Sequence, residues 1–389
     1  MKDKQIEKLI QKESDRQDSV INLIASENYV SDDVLTALGS GLTNKYAEGY
    51  PGRRYYGGNE VIDEIENLCK ERALETFNLS PKTWSVNVQS LSGTPANLAV
   101  YNALLNPGDK IMGMRLMDGG HLSHGHKVSV TGKLYEQVSY GVDKDEKINY
   151  DNLLKIAKKE KPQIIVAGFT AYPRKINWKK FREIADSCDA ILLADISHTA
   201  GLIAGGSFPS PFKYADVVTT TTHKTLRGPR AAIIFSRIEL SNLIDKSVFP
   251  GLQGGPHLNT IAAIAVALKE AQSASFKSYT KNVVSKARTL SSELKKLGWR
   301  IVSGGTDSHI VLVDTISNNI SGKEASKKLE DGGIIVNMNT IPFDKRSPMD
   351  PSGIRLGSAA ETTRGKNEKD FIKIAKKIDD ILRSEDKIN

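Results

Sequence analysis

The sequence predicts an α/β protein: a mostly parallel sheet covered by helices, followed by a smaller C-terminal α+β domain. Three observations predict this. Short apolar strand-like runs alternate with helical segments from residue 84 to 235, the pattern of parallel strands joined by helical crossovers. After Gly254-Gly255-Pro256 a proline-free helical stretch, 257–297, leads into a different rhythm of strands and helices. A chain of 389 residues is long enough for two cores.

The elements follow in order. Residues 3–18 read as an exposed amphipathic helix and 20–25 as a short strand. A loop rich in glycine and tyrosine, 46–58, precedes a helix over 59–77. Strands are expected at 84–88, 110–114, 163–168, 190–194, 216–221 and 231–235, with helices at 94–105, 151–159 and 178–188. The last part reads as strands at 300–303, 309–314 and 334–337, a helix at 322–330 and a final helix from Glu368. The expected organisation is an arm of 1–25, a large domain of 26–275 and a small domain of 276–389, hinged on the long helix.

Composition narrows the function classes. No apolar run approaches the roughly 20 residues of a membrane helix. The N-terminus lacks the apolar centre of a signal peptide, and two cysteines, Cys69 and Cys188, make no disulfide framework. A cytoplasmic location is expected. Lys+Arg 54 against Asp+Glu 46 leaves a net charge of +8, but the lysines are scattered among acids with no nucleic-acid motif, so a nucleic-acid partner is not expected.

Glycine patterns for dinucleotides or nucleoside triphosphates are missing, as is a nucleophile elbow. The run Thr219-Thr-Thr-Thr-His-Lys224-Thr is β-branched and ends in a lysine. In parallel sheets ligands sit beyond the carboxyl ends of the strands. Lys224 is therefore either a surface residue at a strand end or an amine, desolvated and lowered in pKa, that condenses with an aldehyde cofactor. Pyridoxal phosphate would need a carboxylate at its ring nitrogen, a flat partner over the ring and a phosphate pocket. Asp195 ends the strand Ile191-Leu-Leu-Ala, and His121 offers a plane. Ser92-Gly93-Thr94 opens a helix, as an N-cap or as a phosphate cradle. His121, His124 and His126 also invite a metal reading, but their spacing matches no closed site, and no metal is expected.

Taken together, the segments Leu23-Ile-Ala-Ser-Glu-Asn28, Tyr46-Ala-Glu-Gly-Tyr-Pro-Gly-Arg-Arg-Tyr-Tyr-Gly-Gly58, Ser92-Gly-Thr-Pro-Ala-Asn97, Gly119-Gly-His-Leu-Ser-His-Gly125, Thr219–Thr225, Gly254-Gly-Pro256, Val302-Ser-Gly-Gly-Thr-Asp307 and Gly353-Ile-Arg355 resemble serine hydroxymethyltransferase over nearly the whole chain. The resemblance implies the aspartate aminotransferase-like fold of type I pyridoxal-phosphate enzymes. It also implies a homodimer with shared sites, and reversible transfer of the serine hydroxymethyl carbon to tetrahydrofolate, giving glycine and 5,10-methylenetetrahydrofolate. A folate-independent threonine or β-hydroxy-amino-acid aldolase is the alternative.

By the same resemblance Lys224 carries the cofactor, Asp195 meets the pyridine nitrogen, and His121 stacks on the ring. His198 and Thr170 flank its hydroxyl. Ser92, Gly93, Thr94 and His223 hold the phosphate with Gly255 of a second subunit, and His223 counts among the catalytic residues. Arg355, assisted by Ser26, clamps the substrate carboxylate, where a guanidinium fork suits a bidentate partner. Arg230 is either a structural ion pair or orders the site near Tyr56. Glu48 is the acid/base, carried with Tyr46 and Tyr56 into the neighbour's site. Leu116, Gly120, Leu122 and Asn339 contact the folate. Two departures stand out: Met117-Asp118 is expected to add a charge near the folate entrance, and Ala231-Ala232 replaces a commoner glycine pair.

Overall fold

The structure is a computed structural model that describes residues 1–384. Its central sheet has seven strands: β1 (Trp84–Asn87), β2 (Lys110–Met114), β3 (Glu136–Tyr140), β4 (Ile164–Gly168), β5 (Ile191–Asp195), β6 (Val217–Thr221) and β7 (Ala232–Arg237). They lie in the order β1-β7-β6-β5-β4-β2-β3, and only β7 runs antiparallel to its neighbours. Every residue of β4 and β6 is buried, because helices cover both faces. Alternate side chains enter different cores: Ile165, Ala167 and Val218 pack on one face, Ile164, Val166 and Val217 on the other. The register aligns Gly168 with Asp195 and Asp195 with Thr219, so β4 and β5 end level and β6 runs two residues further. That shared edge is where the site forms.

The smaller sheet is antiparallel, β8 (Arg300–Ile301), β9 (Ile310–Asp314), β10 (Asn337–Asn339) and β11 (Gly353–Gly357), in the order β8-β9-β11-β10. The expected helical stretch 257–297 is two helices, Leu258–Ala271 and Ala274–Lys296. The break falls at Ser273, whose hydroxyl accepts from Phe276 N–H and starts the second helix. Phe276, Tyr279 and Val283 of that helix pack in the large core, Ala287, Leu290 and Leu294 in the small one. Leu23, expected in the arm, is fully buried in the small core.

The strand expected at 20–25 shrinks to Ile21–Asn22, paired in parallel with Ile334–Ile335. The strand expected at 334–337 is thereby divided, its second part joining the small sheet as β10. Neither β3 nor β11 was anticipated. β3 is a polar edge strand, and β11 begins and ends in glycine, a residue depleted in strands. Helix Lys4–Ser19 buries no side chain. Among the described residues no helix is long and apolar enough to cross a membrane. Residues 385–389 of the expected small domain lie outside the described residues.

Candidate active site

A cavity of about 320 Å³ opens at the carboxyl ends of β4–β6. β5 delivers Asp195 and the following turn His198, while the segment after β6 delivers His223 and Lys224. Thr170 comes from the turn after β4, and its hydroxyl donates to Gly120 O at 2.7 Å. Ser92, Gly93 and Thr94 line the cavity at the start of helix Gly93–Leu104. Ser92 occupies the N-cap position without a side-chain capping bond, so its hydroxyl and the first amides of the helix stay open to a ligand. A Cβ on Gly93 would lie 2.8 Å from Thr221 Cγ2, which explains a glycine there. His121 and Ser26 also line the cavity, and Arg230 faces it.

The electrostatics separate the groups sharply. Desolvation lowers the Lys224 amine to about 8, with Asp195 acting in the opposite direction and Arg355 and Arg230 reinforcing the drop. Burial alone would raise the Asp195 carboxyl. The hydrogen bond and charge of His124, with His121 and Ser197, outweigh burial and hold it well below the usual carboxylate range. His124 Nε2 lies 3.0 Å from Asp195 Oδ2, Asn97 Nδ2 donates to the same oxygen at 2.9 Å, and Ser197 Oγ donates to Oδ1 at 2.6 Å. Burial lowers His121 to about 4 and His223 to about 3, and takes His198 well down, so all three are neutral planes. His223 Nδ1 is buried with no partner, an unspent polar atom beside the phosphate-like cradle.

These groups fit pyridoxal phosphate. An amine poised to be neutral, an ionised carboxylate, a neutral imidazole and a glycine-floored helix start share one cavity of suitable size. Arg355, on β11, approaches from the small sheet: Nη1 donates to Thr170 O at 2.7 Å and Nε to Asn337 Oδ1 at 3.0 Å. Burial lowers its guanidinium to about 10, still charged at neutral pH.

The loop residues stand apart. Tyr46 and Tyr56 meet edge to face at 5.3 Å, and Tyr46 Oη donates to Glu48 Oε1 at 3.3 Å, all outside the lysine cavity of their own chain. Glu48 beside Tyr56 raises the phenol. Against this group lie Gly254 and Gly255: a Cβ on Gly255 would be 3.1 Å from Tyr46 Cζ. Every residue expected to serve a second subunit is therefore gathered into one outward-facing cluster.

Leu116 lines a second cavity, about 300 Å³, with His126 and Thr340, next to Asn339, whose side chain donates to Thr340 O at 2.6 Å. Leu122 is exposed. Asp118 departs from expectation. It adds no charge to an entrance, being 3% exposed and paired with Arg115 Nε at 2.6 Å. Burial raises its carboxyl, opposed by that guanidinium. Ala231 and Ala232 are both buried in the core at the start of β7. His121 and His124 both line the lysine cavity, His124 turned to Asp195 and His121 to Ser123, while His126 lines the second cavity.

Sequence reasoning missed His309. It is fully buried, stacks on His198 at 5.5 Å between ring centroids, and reaches Ala25 O with Nε2 at 3.1 Å. The segment 302–307 was noted, but nothing local marks a histidine two residues beyond it. Asn97 and His124 were noted only in other roles.

A lysine and a carboxylate at the carboxyl ends of a mostly parallel sheet, with an imidazole plane and a phosphate cradle, define a pyridoxal-phosphate enzyme of the α/β type. Comparison with known proteins agrees. The family model for serine hydroxymethyltransferase matches residues 1–378. A serine hydroxymethyltransferase of Desulfotalea psychrophila is 53% identical over 382 residues, covering 98% of this chain and 89% of that protein. One of Wolinella succinogenes is 52% identical over 381 residues, covering 98% and 91%. The chain belongs to the serine hydroxymethyltransferase family, whose members depend on pyridoxal phosphate and use tetrahydrofolate as co-substrate.

Proposed function

We propose that this chain converts L-serine and tetrahydrofolate to glycine, 5,10-methylenetetrahydrofolate and water, reversibly, with the residues above in the following roles. When bound, pyridoxal phosphate supplies an aldehyde that captures an amine and a protonated ring that withdraws electrons from the substrate Cα. Lys224, lowered toward neutrality, is the amine that would hold the cofactor. Asp195 keeps the ring nitrogen protonated, and His124, Asn97 and Ser197 keep Asp195 ionised and aimed. His121 would cover the ring as a neutral plane, with His198 and Thr170 on the wall of the same cavity. Ser92, Gly93, Thr94 and His223 hold the phosphate, joined by Gly255 of the neighbouring subunit. Arg355 and Ser26 hold the serine carboxylate, and Arg230 orders the site near the incoming Tyr56. Glu48, delivered with Tyr46 and Tyr56 from the neighbour, exchanges a proton at the serine hydroxymethyl oxygen or the folate. Leu116, Gly120, Leu122 and Asn339 receive the folate.

A homodimer with exchanged loops, a cytoplasmic location and the division into 1–25, 26–275 and 276–389 are parts of the same proposal. The outward cluster of Tyr46, Glu48, Tyr56 and Gly255 supports the first, two free cysteines the second, and the shared helix Ala274–Lys296 the third. The single observation that carries the reading is Lys224 and Asp195 in one cavity at the open end of a helix.

Borohydride reduction of the yellow protein followed by peptide mapping is expected to place the pyridoxyl group on Lys224; another position ends the proposal. Serine turnover that is indifferent to added tetrahydrofolate would instead establish the aldolase.

A further inference from the structure

Asn28 closes the motif Leu23–Asn28, in which only Ser26 has been given a role. We propose that Asn28 is a positioning residue for Lys224, tying the lysine's turn to the two segments that carry Ser26 and Arg355. The proposal rests on the reading of Lys224 given above.

All four hydrogen-bonding positions of the Asn28 amide are used. Nδ2 donates to Lys224 O at 2.9 Å and to Tyr279 Oη at 2.8 Å. Oδ1 accepts from Tyr29 N–H at 2.9 Å and from Thr363 Oγ1 at 2.7 Å. The orientation is unambiguous, because a main-chain N–H can only donate and a carbonyl can only accept. A flipped amide would lose both fixed bonds.

The partners come from distant parts of the chain. Lys224 follows β6. Tyr279 lies on the helix shared by the two cores, and its hydroxyl also reaches Thr225 O at 3.4 Å. Thr363 ends the short helix that follows β11, the strand of Arg355. The lysine turn closes on itself, with Arg227 N–H also bonded to Lys224 O at 3.1 Å. Thr225 Oγ1 fastens it to His198 O at 2.9 Å. Asn28 adds the link to the carboxylate-binding side, since it stands two residues from Ser26. A lysine that must leave the cofactor and return to it needs its backbone fixed relative to the bound substrate. Displacements of about 1 Å at such an anchor are costly in rate.

The substitution N28D keeps the shape but puts an oxygen against Lys224 O. T363V cuts only the bond to the small-domain helix. The holoenzyme is saturated with glycine and diluted rapidly, and the return of the lysine-bound absorbance is followed by stopped flow. N28D, in which the amide donor to both Lys224 O and Tyr279 Oη is gone, is expected to slow that return about tenfold or more. Glycine affinity, set by Arg355 and Ser26, should change less than about threefold, well below the effect on the return. T363V, which leaves the bond to Lys224 O in place, is expected to slow the return less than N28D does. If N28D does not accumulate as folded protein, N28A, which removes the amide's bonds without adding charge, is read the same way. A wild-type rate in the Asn28 variant, or equal slowing in T363V, overturns the proposal. A wild-type protein that never shows lysine-bound absorbance overturns the family reading with it.

Discussion

Asp195 shows how much depends on a single ionisation. Its carboxylate is desolvated, yet one imidazole, one amide and one hydroxyl aimed at its two oxygens keep it charged. Asp195→Asn removes the charge that would hold a ring proton, and turnover should fall about 10²-fold or more. The lysine-bound absorbance should survive, a separation that steady-state kinetics and a spectrum together will test. The buried histidines make a second prediction at this scale. Burial takes His121 to about 4 and both His223 and His309 to about 3, against an ordinary value of 6.5. The unfolded chain therefore binds these protons first as pH falls, and unfolding takes up protons between about pH 6.5 and 4. Stability of the cofactor-free chain should decline on acidification through that window and be recovered above it. Urea midpoints measured at a series of pH values will show this slope, and a flat profile would contradict it.

At the scale of elements, the loop of residues 46–58 is exposed where it acts and clamped where it is anchored. Arg54 Nη1 donates to Ala47 O at 3.0 Å and to Gly49 O at 2.7 Å, the carbonyls on either side of Glu48. Tyr55 N–H takes the Glu48 carbonyl itself at 3.0 Å. Arg54 in turn pairs with fully buried Glu66 at 2.7 Å and with Asp63 at 2.9 Å. Removing Glu66 takes from the buried Arg54 guanidinium the more buried of its two carboxylate partners and leaves Asp63 alone against it. Glu66→Ala should thus cost about 3 kcal/mol in denaturant unfolding, and turnover should fall in the protein that remains folded. Strands such as β4 and β6 were legible because continuous apolar or β-branched runs are local signals. The break at Ser273 was not, because a serine inside a helical pattern is equally compatible with continuation, and here the capping bond to Phe276 decided it. β11 was noted as the motif Gly353-Ile-Arg355 but not as a strand. Its extended form comes from pairing with β9 and β10 on both sides, a non-local cause.

At the scale of the whole molecule, the lysine cavity and the Glu48 cluster belong to one chain but do not meet within it. A closed two-fold dimer exchanging these clusters would complete both sites at once. Mixing Lys224→Ala and Glu48→Gln subunits, each inactive alone, should then restore activity. Random pairing makes half the dimers hybrid with one intact site of two, so about a quarter of wild-type turnover is expected. No recovery after verified subunit exchange would mean that each chain completes its own site.

The amino-acid order alone determined the chemistry of this protein: a lysine after a threonine run, an aspartate at a strand end, a small-residue helix start and a tyrosine-glycine loop. Each is a short-range pattern whose meaning survives without knowing its neighbours in space. Tertiary structure decided which polar groups face one another. Asp118 turned inward onto Arg115, His309 came to rest on His198, and Asn28 joined the lysine turn to the small domain. The physical reason is desolvation. Whether a polar side chain is left in water or buried against a partner depends on packing between distant segments, 335 positions apart for Asn28 and Thr363, and no local stretch encodes that.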